Sequence, residues 1–223
     1  MKGFQVIKMK RTLGLLLVLV LALGCVFSLA SCKKESGIYG LVASASPTKT
    51  VTITSFTENG KTYEGYFTME VEGNNSKFEF IYTRPSTVEE GAADVEAGKQ
   101  PSTTRTLEGV IYYKDGMFST DGDEWTVGSP TGIDFKFDLR PEFLTGVSVN
   151  KEDTELVAQI TPDNVVKVLG VELNQSGNVK ITVRTNGANL AKIVLEYTTE
   201  SGAAVRIDTS YTYNPITIDF PEA

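Results

Sequence analysis

The chain has 223 residues, a formal net charge of −7, two cysteines and no histidine. The missing histidine excludes Ser-His-Asp and Cys-His catalysis and histidine-ligated metal sites. The first 31 residues hold four of the 21 basic residues and none of the 28 acidic ones. The remaining chain is therefore strongly acidic, which disfavours nucleic acid and anionic lipid headgroups as partners.

Lys2, Lys8, Lys10 and Arg11 make a positive head, and residues 12–31 carry no charge. The stretch 13–23 is almost wholly Leu and Val, and the run ends in small residues at Leu29-Ala30-Ser31-Cys32. A basic head, an apolar middle and a small-residue exit describe a secretory signal. The exit resembles the lipobox read by bacterial lipoprotein signal peptidase, and the resemblance implies cleavage after Ser31 and a diacylglyceryl group on Cys32. Two other readings stand beside it. The apolar run is long enough to span a bilayer, and a cleavage before Cys25 would follow Ala22-Leu23-Gly24. Leu three places before the cysteine and the solvated start Lys33-Lys34-Glu35-Ser36 favour Cys32. The expected organisation is a cleaved signal over 1–31, a lipidated tether over 32–49 and one domain over 50–223. With its thiol acylated, the mature chain has no disulfide, so packing alone must stabilise it.

In the tether, Ile38, Leu41 and Val42 fall at helical spacing, which predicts one short helix between Ser36 and Ser46, before Pro47. The period then changes to two. Val51 and Ile53 alternate with threonines, Phe67, Met69 and Val71 with Thr68, Glu70 and Glu72, and Phe78, Phe80 and Tyr82 with Lys77, Glu79 and Thr83. These are half-buried strands, with turns at Asn59-Gly60 and Gly73-Asn74-Asn75. Residues 84–106 have no apolar period and predict a long exposed loop.

Strand pattern resumes over 107–113, followed by a turn at Lys114-Asp115-Gly116 and the acidic run Asp121-Gly122-Asp123-Glu124 before Trp125. That run lacks the spaced oxygens and closing glutamate of a calcium loop and reads as a hairpin tip. Ile133, Phe135 and Phe137 alternate with charged residues, Pro141 to Leu144 suit a helical turn, and 155–160 is a further strand. Thr161-Pro162-Asp163 is the clearest helix start: a capping hydroxyl, a proline at the first position and an acid at the positive helix end. Gly170 stops it. Three long alternating runs at 179–184, 192–197 and 205–213 come next, and Ile216 to Phe220 suggest a last strand.

So many one-sided strands with so little helix must close, stack or curl around something. The predicted fold is mainly β (α+β): a strongly curved antiparallel sheet, half-barrel-like, with one or two short helices toward the concave face. Bulky aromatics on that face either fill a core or line a cavity for an apolar ligand. Phe67, Met69, Val71, Phe78, Phe80 and Tyr82 are the candidate wall, since they lie on adjacent strands about one turn.

The order of elements resembles the superfamily of lipoprotein carriers typified by LolA, LppX and LprG. The resemblance covers most of the chain from Val51 to Pro221. It is carried by the strand ending FEFIYTRP, the IYYKDGMFST–DGDEW passage, ELVAQITPDNVVKVLG, and the closing hairpins that finish at Ile218-Asp219-Phe220-Pro221. It implies a curved antiparallel half-barrel that holds acyl chains. Where that family opens with a long amphipathic helix, this chain offers only the short stretch before Pro47. The expectation is thus a non-enzymatic lipoprotein tethered through Cys32 to the outer face of the cell membrane or to the outer membrane. It would bind a lipid or other apolar ligand and hand it on, with no cofactor, no metal and no catalytic residue. The alternative is a surface structural or adhesive lipoprotein with a packed core and no small ligand.

Overall fold

The computed structural model describes residues 37–127 and 138–221. The signal segment, Cys32 and the alternation at Ile133, Phe135 and Phe137 lie outside the described residues. The elements are α1 (Ile38–Ala43), β1 (Lys49–Glu58), β2 (Lys61–Glu72), β3 (Asn75–Pro85), α2 (Val88–Glu96), β4 (Thr104–Lys114), β5 (Met117–Ser119), β6 (Thr126–Val127), a 3-10 turn (Pro141–Phe143), β7 (Leu144–Val149), β8 (Glu155–Ile160), α3 (Pro162–Leu169), β9 (Val179–Thr185), β10 (Leu190–Thr198) and β11 (Ala204–Thr212).

The eleven described strands form one open antiparallel sheet in the order β6-β5-β4-β3-β2-β1-β11-β10-β9-β8-β7. Two meanders, β1–β6 and β7–β11, join at the centre, where β1 pairs with β11 from Lys49–Thr212 to Thr57–Ala204. Local chemistry sets the hairpins. Asn59 and Gly60 both take positive φ (50° and 75°) between the paired residues Glu58 and Lys61, the twist-matched two-residue turn.

One face of the C-terminal meander is aliphatic. Leu156, Ala158 and Ile160 of β8, Val179, Ile181 and Val183 of β9, Ile193 and Leu195 of β10, and Val205 and Ile207 of β11 are buried together. Ile38 and Val42 of α1 and Val165, Val168 and Leu169 of α3 close over them. α1 packs against β9 and β10, and α3 against β8 and the 3-10 turn. Each buried Val, Leu or Ile among them contributes roughly 1.5–3 kcal/mol relative to exposure. The opposite face is charged: Lys180 and Arg206 pair with Glu196, Lys192 with Asp208, and Arg184 with Glu155. Exposed pairs of this kind add about 1 kcal/mol at most; their effect is to keep this face in water.

At the join, the inward residues of β1 are Thr50, Thr52 and Thr54, all buried. Thr52 Oγ1 lies 2.9 Å from Thr209 Oγ1 of β11, so the two hydroxyls satisfy each other inside. A polar seam therefore separates the aliphatic core from the N-terminal meander.

Three expectations change. Residues 84–106 are not loop throughout: α2 occupies nine of them. Its hydrogen bonds explain it. Glu90 N–H donates to Thr87 Oγ1 and Thr87 N–H to Glu90 Oε2, a reciprocal cap. Arg84 then grips both carboxylate oxygens of Glu90, and Arg105 pairs with Asp94. The helix turns its charged side to the sheet and buries no residue, so no apolar period exists to be read.

Thr161 does sit at the N-cap of α3, but its side chain makes no capping bond; Pro162 and the left-handed Gly170 (φ 72°) bound that helix.

Ile216 to Phe220 form no strand. β11 already has β1 and β10 as neighbours, and Pro215 and Pro221 lack donors. Instead the tail crosses the meander. Thr48 Oγ1 donates to Asn214 O (2.6 Å), Ile218 N–H to Glu72 Oε2 (2.9 Å), and the Phe220 ring lies 6.1 Å from that of Tyr112 on β4. It is a strap tying β11 to β2 and β4.

Candidate functional site

Alternation places Phe67 and Met69 of β2, Phe78, Phe80 and Tyr82 of β3, and Ile111 of β4 on the same side of the sheet as the aliphatic core. The register aligns them in rows: Met69, Phe78 and Ile111 in one, Phe67, Phe80 and Gly109 in the next, and Gly65, Tyr82 and Leu107 in the third. Phe67, Phe78 and Tyr82 are buried (2, 6 and 9% exposed), and Met69, Phe80 and Ile111 pack against them half-buried. Ring centroids are 6.4 Å apart for Phe67–Phe78, 6.1 Å for Phe67–Tyr82, 5.8 Å for Phe78–Phe80 and 6.1 Å for Phe80–Tyr82. Pairs at these spacings gain about 0.5–1.5 kcal/mol beyond burial.

Two glycines let the rings lie down on the sheet. A Cβ on Gly109 would stand 2.7 Å from Phe80 Cζ. A Cβ on Gly65 would stand 2.7 Å from both Phe67 Cε2 and Thr54 Oγ1, and 2.9 Å from Tyr82 Cβ. The result is a flat aromatic wall. Val71 lies on the same side one row beyond, paired with Ser76, and is not part of the packed cluster.

Ile111, Gly65 and Gly109 escaped the sequence reading. The alternation over 107–113 could have found Ile111. A glycine under a ring leaves no hydrophobic signal.

The wall ends at cations held by carboxylates. The Arg84 guanidinium holds Glu90 well below the usual carboxylate range, at about 2, with help from the Thr87 backbone. Burial pushes Tyr82 up, opposed by Arg84 beside it. On the charged face, an open groove of about 370 Å³ is lined by Ser55, Thr57, Glu196, Tyr197, Thr198, Ala204, Val205 and Arg206; polar and apolar groups share its walls about equally, and Glu196 and Arg206 pair with each other across it. In the acidic run, Asp121 Oδ1 accepts from the backbone N–H groups of Asp123 and Glu124; the carboxylate builds its own turn. Among the described residues, no group of three or more acidic or thiol side chains is placed to hold a metal ion, and no helix is long and apolar enough to cross a membrane.

The chain matches no known family and no curated protein. Seven solved chains are similar to it. One is the hypothetical protein CT021 from Chlamydia trachomatis, at 11% identity and a TM-score of 0.30, covering 84% of this chain and 99% of that one.

Proposed function

We propose that this protein is a non-catalytic lipoprotein, tethered through Cys32 to the extracytoplasmic face of the cell membrane or to the outer membrane. It holds a lipid or other apolar ligand against the aromatic wall and passes it on. The observation that carries the reading is the wall itself. Phe67, Phe78 and Tyr82, buried, and Phe80, Met69 and Ile111, half-buried against them, form a continuous apolar cluster beyond the half of the sheet on which α1 and α3 pack. A flat aromatic surface flanked by hydroxyls suits an acyl chain, which needs apolar area and little directionality.

The curved, half-barrel shape belongs to this proposal: an open sheet of eleven described strands, bent toward the aromatic side, would enclose the ligand. The tether agrees with a short anchor, since Gly37 sits beside Asp153 at the β7–β8 turn, five residues after Cys32.

A second reading, a structural or adhesive lipoprotein with a packed core, rests on the low exposure of Phe67 and Phe78. Phe80→Trp separates the two. On the binding reading it lowers displacement of a fluorescent fatty acid and costs little stability. On the packed reading it overpacks, costs about 1–3 kcal/mol in chemical denaturation, and neither variant binds.

A further inference from the structure

At the edge of the aliphatic core nearest the aromatic wall, where Tyr211 and Tyr213 pack, the fold leaves two polar groups unsatisfied. Tyr211 of β11 is in register with Thr50, Thr50 with Met69, and Met69 with Phe78, so one lateral row runs from a tyrosine to the wall. At the usual strand spacing the Cα atoms of Tyr211 and Phe78 stand about 14 Å apart. Tyr211 is more than nine-tenths buried, yet its hydroxyl has no hydrogen-bond partner. The hydroxyl of Tyr213, two residues on, is likewise buried and unpartnered. Thr209 and Thr52, in the adjacent row, satisfy each other; the two phenols have no such partner. Desolvated hydroxyls of this kind are costly and rare in folded proteins, and each calls for an explanation.

The chemistry of the row restricts what would satisfy them. Burial pushes both phenols up, Tyr213 to about 12, so at neutral pH each remains a protonated donor. Tyr211, Thr50, Met69, Phe78 and Ile111 include no charged side chain. An anionic headgroup here would be desolvated without a counter-charge, whereas an uncharged oxygen would gain a donor.

We propose that Tyr211 and Tyr213 form a polar subsite that donates hydrogen bonds to an uncharged oxygen of the ligand, such as an ester carbonyl, while its chain lies on the wall. This rests on the apolar-ligand reading and adds the class of ligand: an acyl ester is preferred to a free fatty acid.

The test uses the full chain in vesicles of ether-linked phosphatidylcholine, which carries no acyl ester, containing a diazirine-bearing stearic acid methyl ester or the matching free acid. After irradiation, label is quantified by mass spectrometry on peptides from β2, β3 and β4. The expected result is more label from the ester than from the acid. Tyr211→Phe should lower ester label about threefold to tenfold, the loss of one neutral hydrogen bond. It should not lower the melting temperature, because it deletes a hydroxyl that has no protein partner. Tyr213→Phe should act in the same direction. Ester label that is unchanged in both variants, or equal label from acid and ester, overturns the subsite while leaving the wall as the binding surface. Absence of label from β2–β4 in the unaltered chain overturns the binding reading, and the subsite with it.

Discussion

Gly65 and Gly109 offer a direct test of how the aromatic wall is built, because the same substitution meets different neighbours at each. At Gly109 an added methyl meets only the far end of the Phe80 ring, 2.7 Å away, and a half-buried ring can tilt. At Gly65 it meets Phe67 Cε2, Thr54 Oγ1 and Tyr82 Cβ, all under 3.0 Å, and the last is fixed to the backbone of β3. Overpacking costs about 1–3 kcal/mol, while replacing glycine inside a strand returns roughly 0.5–1 kcal/mol. Gly65→Ala should therefore destabilise by about 1–2 kcal/mol and Gly109→Ala by less than about 1 kcal/mol. Urea denaturation followed by circular dichroism measures both. The sharper test is a double-mutant cycle. In a Phe80→Ala background Gly109→Ala should become neutral or stabilising, whereas Gly65→Ala should keep its cost. Equal costs at the two positions, or a Gly109→Ala penalty that survives the loss of the ring, would refute the stacked-ring account.

Cys32→Ser should abolish incorporation of radiolabelled palmitate and release the protein from membranes, since two or more acyl chains are needed for stable attachment; a larger effect from Cys25→Ser would move the lipid to that residue. Glu90 is held at about 2 by Arg84 and the Thr87 backbone. Its folded value is below the unfolded one, so its stabilisation is present above about pH 5 and is lost as pH falls toward 2. Because the side chain is partly exposed, the loss is about 1 kcal/mol after screening; in urea denaturation the drop in stability from pH 7 to pH 3 should be smaller by about that much in Glu90→Gln, where Asp94, Asp121 and Glu196, also held low by their partners, still contribute. Trypsin should cut first after Lys99, in the exposed stretch between α2 and β4. The two fragments should stay together through the β3–β4 ladder, which runs from Ser76–Tyr113 to Pro85–Thr104. First cleavage elsewhere would contradict this.

Legibility in the residues came from burial of one face at a time. The runs at 179–183 and 193–197 alternate because one side meets α1 and the other meets water, and they became β9 and β10. Phe67, Phe78, Phe80 and Tyr82 carried the same signal. The seam did not, because Thr50, Thr52 and Thr54 are buried polar residues, and Thr52 pairs with Thr209 on a strand that no local pattern brings beside it. α2 was hidden for the opposite reason: its sheet-facing side is Glu90 and Asp94, and only the spacing of Thr87 and Glu90 announced a cap. The tail kept a strand-like pattern at Ile216 to Phe220, yet both sides of β11 were already taken, a fact of topology rather than sequence. The reading of Cys32 rests on the sequence alone.

The central claim, an anchored protein that carries an apolar ligand on its aromatic wall, is tested most directly by native mass spectrometry. The chain would be processed by a lipoprotein-forming bacterium and purified in mild detergent. The account predicts an acylated protein carrying one additional lipid mass that is lost in a Phe78→Ser, Phe80→Ser double variant. A bare acylated mass in the unaltered protein, with no lipid retained at any detergent concentration that keeps it folded, would contradict it.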